Sequence, residues 1–161
     1  MKNWFVLQTK PLKEQIVAEL LGKAGLDIYY PRIRDDDGRP HSFFPGYEFV
    51  LFNYPSEYNL VRYTRGVRRV VGNEHGPIPL EAAVIDEIRA REKDGFIILE
   101  DDLGPPEPGD LIEVVKGPLR GLKGIFSRTA SGEQRVTILL NYVNFQGSAV
   151  VPRNYIRRAR R

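Results

Sequence analysis

The stretch HSFFPGYEFV, residues 41–50, decides how the first two-thirds of this chain fold. Two phenylalanines run into a Pro-Gly corner, and a strand-like run continues beyond it as YEFVLFN. Successive side chains of a strand point to opposite faces. Tyr47, Phe49 and Leu51 therefore face one way, while Val50 and Phe52 face the other and only Glu48 interrupts the second set. A strand apolar on both faces needs something to bury against on each of them.

The segments on either side supply candidates. Trp4–Thr9 reads as a strand. Pro11 suits the first turn of a helix. Leu12, Ile16, Leu20 and Ala24 follow at four-residue spacing as an amphipathic stripe that Gly25 ends. LDIYYPRI reads as a second strand, RDDDGRPHS as a polar loop, residues 55–63 as a short helix and residues 67–71 as a brief strand. Leu80, Val84 and Ile88 mark a second long helix, and FIIL a last strand. The order β-α-β-β-α-β, with a small extra helix, matches the ferredoxin-like α+β plan, with helices on one face of a mostly antiparallel sheet. On that plan the second face of the Tyr47 strand stays open unless a partner covers it.

EDDLGPPEPGD, residues 100–110, holds three prolines, two glycines and five acids, so it suits neither a helix nor an inner strand. It reads as a semi-rigid linker. The expected division is a first domain over 1–100, a linker over 101–109 and a second domain over 110–161. In the last, LIEVV, KGIFSR, RVTILLNY and SAVVP read as short strands between Gly-rich turns, which suggests a small antiparallel barrel.

The net charge of +3 is uneven: from Glu107 onward ten Lys/Arg face four Asp/Glu, against fourteen and seventeen before it. The RRARR terminus suits a nucleic-acid-rich setting or a solvated tail. The chain has no cysteine, which excludes disulfides and thiolate chemistry and fits a cytoplasmic protein. MKNWFVLQTK lacks the apolar core of a secretory signal, and no run is long enough to span a membrane. No metal or cofactor is expected. His41 and His75 are isolated, and Asp35, Asp36 and Asp37 lack the spacing of a calcium loop. The glycines at 117, 121 and 124 fit no phosphate loop. Ser127 and Ser131 have no His-plus-acid pattern beside them, so no catalytic residue is expected.

FFPGYEFVLF followed by YTRGVRRVVG resembles the N-terminal domain of the NusG transcription elongation factors, as do the opening WFVLQTKPLKEQ and the helix LEAAVIDEIRARE. PGDLIEVVKGPLRGLKGIFSR resembles the KOW motif of the same family, an SH3-like β-barrel. The FPGYxF and TRGV wording leans toward a specialised, RfaH-like antiterminator paralogue.

The resemblance implies an antitermination or elongation factor, a monomer, that binds RNA polymerase across its cleft. Phe44, Tyr47, Phe49 and Val70 match the apolar surface that meets the clamp helices of the largest subunit. Lys10, Lys23, Thr64, Arg65, Arg68 and Arg69 match the region that approaches non-template DNA in the transcription bubble. Guanidinium groups suit phosphates and exposed bases, with Tyr63 placed to stack. The stretch YNLVRY before TRG departs from RfaH, so a second polymerase contact through Glu57, Asn59 or Arg62 is not implied. The KOW half implies recruitment of a small ribosomal-subunit protein or of Rho, with Arg120, Lys123, Ile125, Phe126 and Phe145 as contacts. Arg157 to Arg161 would meet nucleic acid. In RfaH this half becomes a helical hairpin that masks the polymerase site. Here its Val, Ile and Thr content and turn glycines lead us to expect a stable barrel with no such switch. The alternative is an RNA-binding or ribosome-associated KOW protein, and a weaker third reading is an enzyme with dispersed catalytic groups.

Overall fold

The computed structural model describes residues 1–99, 112–114, 123–146 and 156–158. β1 (Lys2–Thr9) leads through a turn into α1 (Glu14–Lys23), followed by β2 (Asp27–Tyr29) and a hairpin of β3 (Arg32–Arg34) and β4 (Pro40–Ser42). β5 (Tyr47–Asn53), the short α2 (Tyr58–Arg62) and β6 (Val67–Val70) complete the main sheet, whose strand order is β2-β5-β1-β6 with every pairing antiparallel. A small hairpin, β7 (Gly72–Asn73) with β8 (Gly76–Pro77), precedes α3 (Ala82–Ala90). β9 (Glu92–Lys93) and β10 (Phe96–Ile97) form another hairpin.

The β-α-β-β-α-β plan is present, but with different members from those expected. The short α2 and the edge strand β6 close its second unit, while α3 and the FIIL segment lie outside the main sheet. LDIYYPRI is also two strands, β2 and β3, with Pro31 between them. Proline cannot donate to a ladder, which accounts for the break.

Each face of the sheet has its own core. Phe5, Leu7, Val50, Phe52, Val67 and Val70 meet Val17 and Leu21 of α1 and Val61 of α2. Trp4, Val6, Tyr29, Tyr47 and Phe49 meet Val84, Ile85 and Ile88 of α3 and Ile97 of β10. Helices therefore lie on both faces rather than on one. The buried stripe of α1 is Val17 and Leu21; Leu12 lies outside the helix and is 94% exposed.

The larger correction is C-terminal. β11 (Ile112–Val114) pairs antiparallel with β12 (Ile156–Arg158), as short strands would. Between them a 3-10 turn (Lys123–Phe126) leads to α4 (Gly132–Gln146), so RVTILLNY is helix and not strand. A capping box starts it: Gln134 N–H donates to Ser131 Oγ at 3.1 Å, and Ser131 N–H donates to Gln134 Oε1 at 2.8 Å. Leu139, Tyr142 and Val143 of α4, with Ile125 and Phe126, are buried in the same core as Tyr47 and Phe49. Burying each such side chain is worth about 1.5–3 kcal/mol relative to exposure. The face expected to stand open is thus covered by the chain's own C-terminal helix, and 132–146 is not part of a barrel in this structure. The linker over 101–109, Arg120, SAVVP and the last three residues lie outside the described residues.

Candidate functional site

Phe44, Pro45, Gly46 and Tyr47 form a tight turn closed by Tyr47 N–H donating to the Phe44 carbonyl at 2.9 Å. Gly46 has φ +83°, and a side chain there would meet nothing within 4 Å. The glycine serves the backbone angle at the third position of a Pro-Gly turn, not a lack of space. This turn presents a rigid aromatic cluster. Phe43 and Phe44 meet edge to face with centroids 4.9 Å apart, Phe44 meets Phe49 likewise at 5.6 Å, and Tyr29 stacks on Phe49 at 6.1 Å.

The C-terminal segment is seated on this corner at three points. Phe126 stacks on Phe43 at 6.1 Å. Arg135 of α4 donates from Nε to the Phe43 carbonyl at 2.9 Å and from Nη1 to the Ala130 carbonyl at 2.6 Å, with its guanidinium 4.6 Å from the Phe43 centroid. Gly132 opens α4 against Pro45, where an added methyl would stand 2.7 Å from the ring Cγ. Burial lowers the Arg135 pKa, because the two carbonyls that accept its hydrogen bonds replace its lost hydration without a compensating charge.

Of the expected polymerase-binding residues, Phe44, Tyr47 and Phe49 come together here. Val70 does not. A register shift between Gln8 and Thr9 lets Val67 and Val70 both enter the α1-side core, so Val70 faces away from the aromatic corner. Ile125 and Phe126 are fully buried in the corner's core and Phe145 is partly buried against it. Only the backbone of Lys123 is described.

The basic residues divide similarly. The turn from Thr64 to Val67 is closed by Val67 N–H on the Thr64 carbonyl at 3.0 Å, with Gly66 at φ +93°. Lys10 N–H donates to the Gly66 carbonyl at 2.8 Å, which brings Lys10 beside Arg65. Thr64 Oγ1 is occupied by the Leu60 carbonyl at 2.6 Å. Arg68 is exposed on β6. Arg69 donates to Gln8 Oε1 at 2.7 Å and so joins the Gln8 side of the sheet edge. Lys23 ends α1, where a cation complements the helix dipole, and stands a helix length from Lys10. The exposed Tyr63 and the Arg62 guanidinium lie 5.2 Å apart.

Three polar groups were not anticipated. Glu48 is fully buried on the α1 face of β5, and among the described residues neither carboxylate oxygen has a hydrogen-bond partner, nor does the buried Thr9 Oγ1. Burial, with the charge of Glu14 added, pushes the Glu48 carboxyl up to about 9. Its place as the single interruption in the Val50 and Phe52 face was the sequence signal. Tyr29 donates to Glu92 Oε2 at 2.5 Å, and burial together with that bond raises its phenol well above the usual range. Among the described residues no cluster of His, Asp and Glu has the makings of a metal site, and no helix is long and apolar enough to cross a membrane.

The sequence matches the family model described as NusG, transcription termination factor nusG, over residues 2–89. Among solved structures the chain is similar to Thermotoga maritima NusG, in a structure describing its domain interaction. Identity is 26% over 73% of this chain and 75% of that one, with a TM-score of 0.47. It is also similar to a chain of the MjSpt4:Spt5 complex, at 18% identity over 70% of this chain and 68% of that one, with a TM-score of 0.36. No curated protein sequence matches it.

Proposed function

The chain belongs to the NusG family of transcription factors, which are not enzymes, and from that premise we propose that it is an elongation factor whose aromatic corner docks on RNA polymerase once α4 leaves it. The observation that carries this reading is the occupant of the corner. Phe43, Phe44, Tyr47 and Phe49 seat an amphipathic helix of the same chain, and a face shaped for one helix suits another. The clamp helices of the largest polymerase subunit are the expected partner. Rigid aromatics give such a face large contact area at small entropic cost.

The domain boundaries at 1–100, 101–109 and 110–161 belong to the same proposal. In the form described here Ile125, Phe126 and α4 cover the corner. Its Val, Ile and Thr residues and turn glycines suit a KOW barrel after release, which would recruit a second partner such as a small ribosomal-subunit protein or Rho. The helix at 132–146, where short strands were expected, supports the specialised-paralogue reading over the expectation of a stable barrel. Lys10, Arg65 and Arg68 form the edge offered to non-template DNA. By binding both sides of the cleft, the factor would favour the closed clamp according to its differential affinity for that state. Its place of action would be the cytoplasm.

The test is binding of purified RNA polymerase by the intact chain and by Tyr47→Ala and Arg135→Ala variants, with folding followed by circular dichroism. Loss on Tyr47→Ala together with a gain on Arg135→Ala supports a masked polymerase site. Salt-sensitive RNA binding with no polymerase affinity in any variant points instead to the ribosome-associated reading.

A further inference from the structure

Pro11 and Leu12 are the central pair of a turn closed by Lys13 N–H donating to the Lys10 carbonyl at 3.1 Å. Leu12 has φ +60°, an angle that such a Pro-led turn normally gives to Gly or Asn because the Cβ of other L-residues is crowded there. The side chain is 94% exposed. Nothing among the described residues therefore offsets the strained backbone by burying it. The turn is also not loose, since Lys10 N–H is bonded to the Gly66 carbonyl and Val17 N–H to the Lys13 carbonyl at 3.0 Å. A bulky apolar group is held rigidly outward at a position where a small or polar residue would be easier to accommodate.

Its neighbours identify what it suits. The backbone bond from Lys10 to Gly66 joins this turn to the one that presents Arg65. Gly66 permits that approach, because a methyl there would stand 2.8 Å from Val17 Cγ2 and 3.3 Å from Lys13 Cβ. Lys10, Lys13 and Arg65 are exposed, and none of them forms an ion pair among the described residues. The half-buried Glu14 is the nearest acid in sequence. An apolar tip framed by three cations complements a polyanion that carries flat apolar rings. Single-stranded DNA has that chemistry: its phosphates meet the cations and an unstacked base meets the tip.

We propose that Leu12 is the apolar contact by which the Lys10–Arg65 edge holds an unstacked base of a DNA strand. The inference rests on the nucleic-acid role given to that edge above. Its test is fluorescence-anisotropy titration of the full chain with a short labelled single-stranded DNA of mixed sequence, at several salt concentrations. Leu12→Asn removes the apolar group while suiting the backbone angle, so its thermal midpoint should equal or exceed that of the parent. Its affinity should fall about fivefold with the salt slope unchanged, because no counterion release is lost. Leu12→Met should retain affinity. Arg65→Ala should weaken binding and flatten the slope by about one phosphate contact. If Arg65→Ala weakens binding and Leu12→Asn does not, the role of Leu12 is overturned while the edge stands. If neither variant weakens binding, both fall. If Leu12→Asn spares DNA but weakens binding to nucleic-acid-free polymerase, the tip is a protein contact and the proposal is overturned.

Discussion

Arg135 Nε donates to the carbonyl of Phe43 at 2.9 Å across 92 residues of chain. Arg135 is 7% exposed, with its guanidinium bonded to two carbonyls and laid on the Phe43 ring. Charge-assisted bonds to carbonyls contribute about 1.5–3 kcal/mol each, offset in part by the cost of burying a cation.

Arg135→Ala should therefore loosen α4 from the corner without disturbing the main sheet. The expected outcome is a several-fold rise in polymerase affinity by titration. Weaker binding would show that Arg135 belongs to the polymerase contact itself.

Gly132→Ala tests the same seat sterically. Alanine favours a helix interior over glycine by about 1 kcal/mol, so α4 considered alone should strengthen. The added methyl would stand 2.7 Å from a proline ring carbon, and overpacking of that kind costs about 1–3 kcal/mol. We expect undocking, seen as greater exposure of the Phe43 and Phe44 environment in near-ultraviolet circular dichroism. Pro45→Ala in the same chain should restore the closed form.

Glu48 makes stability depend on pH with a defined sign. Its carboxyl is held at about 9 in the folded chain against 4.5 when free, so the folded state retains a proton that the unfolded state gives up. Its contribution is fully present below pH 4.5 and is lost as the pH rises toward 9, at no more than about 1.4 kcal/mol per pH unit. Urea midpoints between pH 5 and 9 should decline in the parent and decline less in Glu48→Gln. Equal slopes would place an unrecognised partner on the carboxylate.

Gly66→Ala should destabilise by about 2 kcal/mol, combining a positive φ with a close approach to Val17. DNA affinity should fall with it, because the same glycine holds Arg65 beside Lys10. A stable variant with normal DNA binding would count against that edge.

How far the sequence disclosed this arrangement varied with how local the deciding forces are. β5 was legible because its apolar residues run along both faces with Glu48 as the single interruption, and each of its faces is buried. For α1 the four-residue spacing from Pro11 nominated Leu12, Ile16, Leu20 and Ala24, whereas the turn at Lys10–Lys13 delays the helix and the buried residues are Val17 and Leu21. Val70 was placed on the polymerase surface by the family resemblance, whereas its pairing with Leu7 puts it on the α1 face of the sheet. In α4 the richness in Val, Ile and Thr argued for a strand. The Ser131–Gln134 capping box, which the sequence reading did not weigh, favours a helix, and burial against the aromatic corner sides with the box. That burial connects residues far apart in the chain, which no local pattern records.

The seating of Gly132 on Pro45 has a quantitative consequence for any outside ligand of the corner. Such a ligand binds only molecules whose α4 has departed, so its measured dissociation constant equals the intrinsic one divided by the vacated fraction. A chain vacated about one time in a hundred would bind about a hundredfold more weakly than its surface allows. By linkage, a second ligand that captures residues 132–146 elsewhere would tighten the first without touching it. The affinity of the aromatic corner is in that sense set partly at the other end of the chain.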